Sequence, residues 1–105
     1  MSAATVSLPI ICEFWHEGKV WNGEARDLPI AVFGDTFEDA QAHMRDAVQG
    51  FMESSLEGGD MPEVVALLEK AARRSIKPDQ LSAKRPVLKI SVELKNKNKE
   101  LVSVA

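Results

Sequence analysis

Gly34-Asp-Thr-Phe-Glu-Asp-Ala40 decides the fold, because this stretch predicts where the longest helix of the chain begins. The Thr36 hydroxyl suits a helix N-cap, and the acidic residues at positions 38 and 39 favour the positive helix N-terminus. Apolar side chains then recur at steps of three and four residues, forming one stripe: Phe37, Ala40, Met44, Ala47, Val48, Phe51, Met52 and Leu56. We therefore predict an amphipathic helix over residues 37–56.

Three strands are predicted ahead of this helix. The first covers residues 6–15, in which alternate side chains form an apolar face: Val6, Leu8, Ile10, Cys12 and Phe14. A hairpin loop at 16–19 leads to a second strand over 20–27, and a short third strand covers 30–33. Because Pro9 cannot donate to a strand ladder, we expect the first strand to lie at a sheet edge or to begin late, near Ile10.

Two further elements are predicted after the long helix, which ends at Gly58 and Gly59. A shorter helix begins near Pro62, because proline is favoured in the first helical turn. Residues 87–94 alternate between apolar and polar side chains, as in a strand with one buried face. The long helix has one apolar stripe and the sheet one apolar face, so each can cover the other.

The predicted fold class is α+β, with an antiparallel three- to four-stranded sheet covered by one long helix, in the order β-β-β-α-α-β. The 105 residues are enough for one domain with a single core. We place this domain at residues 1–94. Residues 95–105 are predicted to form a basic C-terminal tail or a short terminal strand.

Charge is distributed unevenly along the chain. The net charge is −3, but residues 1–72 carry 13 acidic and four basic side chains, whereas residues 73–105 carry three acidic and nine basic ones. An acidic body suits a basic partner. The basic end lacks the interleaved aromatic residues on which nucleic-acid bases stack, which favours a solvated tail.

A cytoplasmic location is predicted from several missing features. No apolar run reaches the ~18 residues of a membrane helix, and no basic segment precedes the N-terminal apolar stretch. We therefore expect neither a membrane span nor a signal peptide. The single cysteine, Cys12, has no partner for an internal disulfide and suits a reducing compartment. Its apolar neighbours favour a buried structural thiol over a nucleophile.

The sequence contains no catalytic motif: it lacks a nucleophile elbow, a zinc-protease motif, a P-loop and a dinucleotide-binding motif. His16 and His43 have no adjacent nucleophile. We therefore predict that the chain is not an enzyme and has no cofactor or metal site. A further alternative is a metal-dependent nuclease relic using Glu13, Asp27 and Asp35, although surface charge and helix capping also explain these carboxylates.

Two tryptophans, Trp15 and Trp21, flank the predicted hairpin loop, and a short loop would bring them close across the two strands. They either complete the core or anchor a partner, because tryptophan is enriched among the residues that dominate interfaces. Charged residues nearby would surround such an anchor. We predict a partner-binding site made of Glu13, Trp15, Glu17, Trp21, Glu24 and Arg26.

Residues 21–56 resemble the HicB family of antitoxins. Three segments carry the resemblance, a strand end, a strand with its turn and a helix start: Arg26-Asp-Leu-Pro29, Phe33-Gly-Asp-Thr36 and Phe37-Glu-Asp-Ala40. The resemblance implies a partial RNase H-like fold, with three antiparallel strands, a helix and a fourth strand. It also implies neutralisation of a small basic RNA-cleaving toxin of the HicA type. Family members often carry a DNA-binding module, which is not recognisable here, so DNA binding is not predicted.

We therefore predict a HicB-like antitoxin or adaptor that binds and neutralises such a toxin by protein–protein interaction. A homodimer or higher oligomer is expected, through an exposed strand edge or the apolar face of the second helix. The alternative is a structural or scaffolding subunit of a larger assembly, whose late strand and basic tail would make the contacts.

Overall fold

The computed structural model describes residues 5–73, 85–95 and 101–104 of the chain. These ranges contain five strands and two helices: β1 Thr5–Glu17, β2 Val20–Ala25, β3 Ala31–Gly34, α1 Phe37–Gly58, α2 Met61–Ala72, β4 Val87–Lys95 and β5 Leu101–Val104. All strand pairs are antiparallel, and the strand order across the sheet is β3-β2-β1-β4-β5. The predicted α+β class is confirmed.

The described sheet has five strands, which corrects the predicted three- to four-stranded sheet. β5 pairs with the end of β4, where Val104 lies opposite Val92 and Leu101 lies opposite Leu94. The side chains of Leu101 and Val104 pack against the core. This burial supports the pairing of β5 with β4, which a four-residue strand would not sustain alone. Residues 96–100, within the predicted tail, lie outside the described residues.

β1 is the central strand and does not begin late, which corrects the expectation drawn from Pro9. Its neighbours cover different parts of it, because β4 pairs with residues 5–13 and β2 with residues 12–17. Backbone N–H groups alternate sides along a strand, and that of Phe14 donates to Pro86 O (3.0 Å) on the β4 side. Pro9 therefore faces the other side, beyond the end of β2, where no described strand needs a donor.

The β1–β2 hairpin turns through two residues, Gly18-Lys19, which is tighter than the predicted four-residue loop. Gly18 has a φ of +60°, a conformation that glycine adopts without steric cost. Gly23 pairs with Phe14 in a regular register. A Cβ at Gly23 would lie 2.6 Å from Phe14 Cε1, so glycine makes room there for a fully buried ring.

α1 begins where the sequence predicts it. Thr36 caps the helix, since Asp39 N donates to Thr36 Oγ1 at 3.0 Å, an interaction typically worth about 1 kcal/mol. The helix ends at Gly58, and Gly59 follows in the left-handed conformation, with a φ of +78°. Leu56, the last residue of the predicted stripe, is exposed. The apolar side chains that α1 buries completely are spaced four residues apart: Ala40, Met44, Val48 and Met52.

The start of α1 lies against β3 at Gly34. A Cβ at Gly34 would lie 2.6 Å from the backbone nitrogen of Ala40, which is in the first turn of α1. Backbone atoms at that distance have no room to move aside. Only glycine therefore lets the chain leave β3 and at once form a helix that packs on the same strand.

Both helices pack against one face of the sheet and enclose a single core. α2 buries Val64, Val65 and Leu68 beside α1. The fully buried strand residues occupy alternate positions of the two central strands: Ile10, Cys12 and Phe14 of β1, and Ile90, Val92 and Leu94 of β4. Neither described helix combines the length and the apolar character that a membrane crossing requires.

Candidate partner-binding site

The sheet face opposite the helices carries no fully buried side chain among the described residues, and we call it the open face. Its side chains alternate with those of the core along each strand. They include Ile11, Glu13, Trp15 and Glu17 of β1, Asn22 and Glu24 of β2, Ala31 and Phe33 of β3, and Lys89, Ser91 and Glu93 of β4.

Five of the six predicted partner-binding residues lie on the open face. Glu13, Trp15 and Glu17 occupy alternate positions of β1, and Glu24 of β2 lies directly opposite Glu13. Arg26 follows β2 and reaches the same face through an ion pair with Glu13. Strand alternation and hairpin register are thus sufficient to bring these side chains together.

Trp21, the sixth predicted residue, lies on the helix-covered face, so the two tryptophans are not neighbours. The register pairs Trp21 with His16 and Trp15 with Asn22, and adjacent residues of a strand point to opposite faces. The Trp21 ring stacks on His16, and its centroid lies 5.0 Å from that of Phe37. Trp21 therefore packs the hairpin against the start of α1.

A cavity of about 180 Å³ lies on the open face, lined by Glu13, Trp15, Glu24, Arg26 and Arg85. The Glu13 carboxylate lies between the two arginines: Oε1 pairs with Arg26, and Oε2 lies 3.9 Å from Arg85 Nη1. Arg26 is also fixed through its backbone, because its N–H donates to Ile11 O at 2.8 Å. We call these five lining residues the open-face cluster.

Two contacts hold the Trp15 ring, one at its edge and one over its face. Its Nε1 donates to Glu17 Oε1 at 2.8 Å. The Arg85 guanidinium lies over the ring, with Cζ 4.9 Å from the ring centroid. Such a cation–π contact contributes about 0.5–1 kcal/mol at an exposed site. The cavity therefore has a flat aromatic wall in a fixed orientation.

The side chain of Glu24 forms no hydrogen bond or ion pair with another residue that the structure describes. Its side chain is exposed and lies across from Glu13 on the neighbouring strand. Like charges directly opposite each other on two strands repel. The Glu24 carboxylate is consequently available to a cation that approaches from outside.

The sequence reasoning missed two residues of the open face, Arg85 and Phe33. Arg85 precedes β4 and meets Trp15 only because β4 pairs with β1, so no local pattern indicates it. Phe33 is 69% exposed and lies opposite Asn22. Because β3 has only four residues, its alternation does not reveal which of its faces the helices cover.

The remaining candidate groups are separated from one another. Cys12 is fully buried, and burial raises the pKa of its thiol from 9.0 to about 11, with a smaller opposing effect of the Arg45 charge. Within residues 5–73, 85–95 and 101–104, no three His, Cys, Asp or Glu side chains are grouped to hold a metal ion. Glu13, Asp27 and Asp35 therefore do not converge as the nuclease-relic alternative requires.

The acidic charge of the body is concentrated on the long helix. α1 carries five acidic side chains and a single basic one, Arg45. The acidic residues are all exposed: Glu38, Asp39, Asp46, Glu53 and Glu57. The open face instead carries carboxylates and cations side by side. Exposed acidic side chains are thus present both on α1 and on the open face.

Comparison of the chain with family models, with curated proteins and with solved structures finds no match. The resemblance to HicB antitoxins therefore rests on the three segments quoted from the sequence.

Proposed function

We propose that the chain is a HicB-like antitoxin or adaptor that binds a small basic RNA-cleaving toxin on the open face and so neutralises it. The observation that carries the proposal is the unequal covering of the sheet. Both described helices pack on one face, and the other presents an aromatic and charged cluster to solvent. A rigid sheet that leaves such residues exposed is suited to binding another molecule.

The residue types of the open face fit a protein partner. Tryptophan and arginine are enriched among the few residues that dominate the binding energy of interfaces, and Trp15 and Arg85 stack on each other here. Phe33 adds a second exposed aromatic ring at the sheet edge. A nanomolar complex needs about −12 kcal/mol, which interfaces of ~1,600 Å² reach when they contain good anchors.

The charge of the chain favours a basic partner. The exposed acidic side chains of α1 would attract a cationic protein from a distance, and such steering speeds association by ~10–10³-fold at low salt. A toxin that cleaves RNA needs a basic surface to hold its substrate. An acidic protein that occupies this surface would exclude RNA by competition.

We also propose that the partial RNase H-like fold of the family applies here. β1, β2 and β3, the helix α1 and the strand β4 supply the three antiparallel strands, the helix and the fourth strand that the resemblance implies. In this assignment α2 and β5 are additions. β4 pairs with β1 in the antiparallel direction.

Affinity capture at low and high salt tests the function. The full tagged chain is expected to retain from its source cells a small basic protein that cleaves RNA, with slower association at high salt. Adding the purified chain should stop that cleavage. Trp15→Ala should abolish inhibition, whereas the matched control Leu67→Ala, an exposed apolar residue of α2, should not.

Two results would contradict the proposal. One is that the captured protein is neither basic nor active on RNA. The other is that Trp15→Ala inhibits the toxin as well as the wild-type chain does. Retention of a large assembly instead of a small toxin would favour the scaffolding alternative.

A further inference from the structure

We propose that the open-face cluster is a receptor for an arginine side chain of the partner, and that Arg85 is an internal guanidinium on the Trp15 face which this arginine displaces. The inference rests on the proposed function, because it names the group of the toxin that the site would recognise. It is carried by an arrangement already present within the chain. A guanidinium stacks on Trp15 beside two carboxylates, those of Glu13 and Glu24.

The cavity is built to hold a planar cation. The Trp15 ring is oriented by its hydrogen bond to Glu17, so its face is presented without further ordering. Arginine stacks on aromatic rings and pairs with carboxylates through a rigid fork of donors, whereas lysine carries a compact, strongly hydrated charge. With Arg85 in its wall, the cavity measures about 180 Å³, which is smaller than the ~300–1,000 Å³ of small-molecule sites and has room for the head of one side chain.

Arg85 is held against the Trp15 face only loosely. Its Nη1 lies 3.9 Å from Glu13 Oε2, which is beyond the ~3.2 Å limit of a hydrogen bond. Half of its side chain remains exposed to solvent. Glu13 already has a closer partner in Arg26, so Arg85 gains little from this carboxylate. Displacing Arg85 from the Trp15 face therefore costs little.

An external arginine has a partner that Arg85 does not use. Glu24 is exposed, lines the cavity and pairs with no other described residue. An incoming guanidinium stacked on Trp15 can donate two parallel hydrogen bonds to a carboxylate, the strongest geometry for this pair. It would also relieve the repulsion between Glu24 and Glu13 across the two strands. Once Arg85 has left, the remaining lining carries two carboxylates and one guanidinium, and this charge favours a cation over an anion.

An NMR titration of the full chain tests the inference. The probe is the peptide acetyl-Gly-Arg-Gly-amide, and the readout is the indole N–H resonance of Trp15, identified by its loss in Trp15→Phe. The arginine peptide should shift this resonance and leave that of Trp21 in place. The same peptide with citrulline, which has the shape of arginine without the charge, should shift neither.

Variants of the open-face cluster give the sharper result. Removing the internal competitor with Arg85→Ala should lower the Kd of the arginine peptide by roughly 5-fold, and Arg85→Gln should act in the same direction. Glu24→Gln should raise the Kd of the arginine peptide by roughly 5-fold. The control Glu93→Gln removes the same charge from the open face outside the cavity and should leave the Kd unchanged.

The inference is overturned if citrulline and arginine peptides act alike, or if neither Arg85 variant binds the arginine peptide more tightly. Toxin capture is scored separately. If capture and inhibition succeed while the peptide leaves Trp15 unperturbed, the arginine receptor is wrong and the proposed function stands. If the peptide binds as expected but no RNA-cleaving protein is captured, the proposed function fails and the receptor remains.

Discussion

Successive side chains of β1 point alternately into the core and towards the open face. Cys12 and Phe14 are fully buried beneath the helices, and Glu13 between them holds Arg26 on the other side of the sheet. The sequence indicated Cys12 as a buried thiol because its neighbours at period two are apolar. It indicated Glu13 as a charge near two tryptophans and as a candidate metal ligand, but not its ion pair with Arg26, since an ion pair between residues 13 apart depends on the hairpin register.

Cys12 should make the stability of the chain depend on alkaline pH. Burial raises its thiol pKa from 9.0 to about 11, so the folded chain holds this proton more tightly than the unfolded chain does. The contribution of the protonated thiol to the free energy of unfolding is fully present below pH 9. It is lost as pH rises towards 11, and the loss is about 2 kcal/mol. Urea unfolding of wild type and Cys12→Val across this range measures it. Equal pH dependence of the two proteins would contradict the expectation.

At the scale of elements, α1 is the best-predicted part of the molecule. Its start, its cap and its buried stripe follow from Thr36 and from the spacing of apolar side chains, which are local properties of the chain. The tightness of the β1–β2 turn was not predicted, and the choice between a tail and a short terminal strand at residues 95–105 was left open. Both depend on pairing with a strand elsewhere in the sequence, and local composition does not specify that partner.

Alanine substitutions at two glycines, one just before α1 and one within it, should change the free energy of unfolding in opposite directions. Gly34→Ala places a Cβ 2.6 Å from Ala40 N, and such overpacking against backbone should cost about 1–3 kcal/mol or more. Gly50 is exposed in the middle of α1 with nothing within 4 Å of an added Cβ, so Gly50→Ala should stabilise by about 0.5–1 kcal/mol. Chemical denaturation of the two variants measures the change in the free energy of unfolding in each case. A stabilised Gly34→Ala would refute the close contact.

At the scale of the whole molecule, the sheet separates stability from binding. One face is buried under two helices and supplies the core, whereas the open face carries the residues proposed to contact the toxin. Exposed acidic side chains lie on α1 and, as Glu17 and Glu24, on the open face itself. The proposed recognition therefore combines long-range attraction by both sides of the domain with short-range contacts on the open face.

The two tryptophans report on this separation. Trp21→Ala removes a half-buried ring from the junction with Phe37 and should destabilise the fold by about 2 kcal/mol, below the ~3–5 kcal/mol of a fully buried ring. Trp15→Ala should cost at most about 1 kcal/mol and yet abolish toxin and peptide binding. Urea denaturation beside the capture and NMR assays distinguishes them. A larger stability loss at Trp15 than at Trp21 would reverse the assignment of the two faces.

The sequence by itself determined the α+β class, the order of the elements, the helix cap and the alternation that separates buried from exposed strand positions. These are local properties, because period and capping act over a few residues. Only the tertiary structure decided that β1 is central, that Trp21 belongs to the covered face and that Arg85 meets Trp15. Each depends on which strands pair and in what register, and a shift of one residue would exchange the two faces.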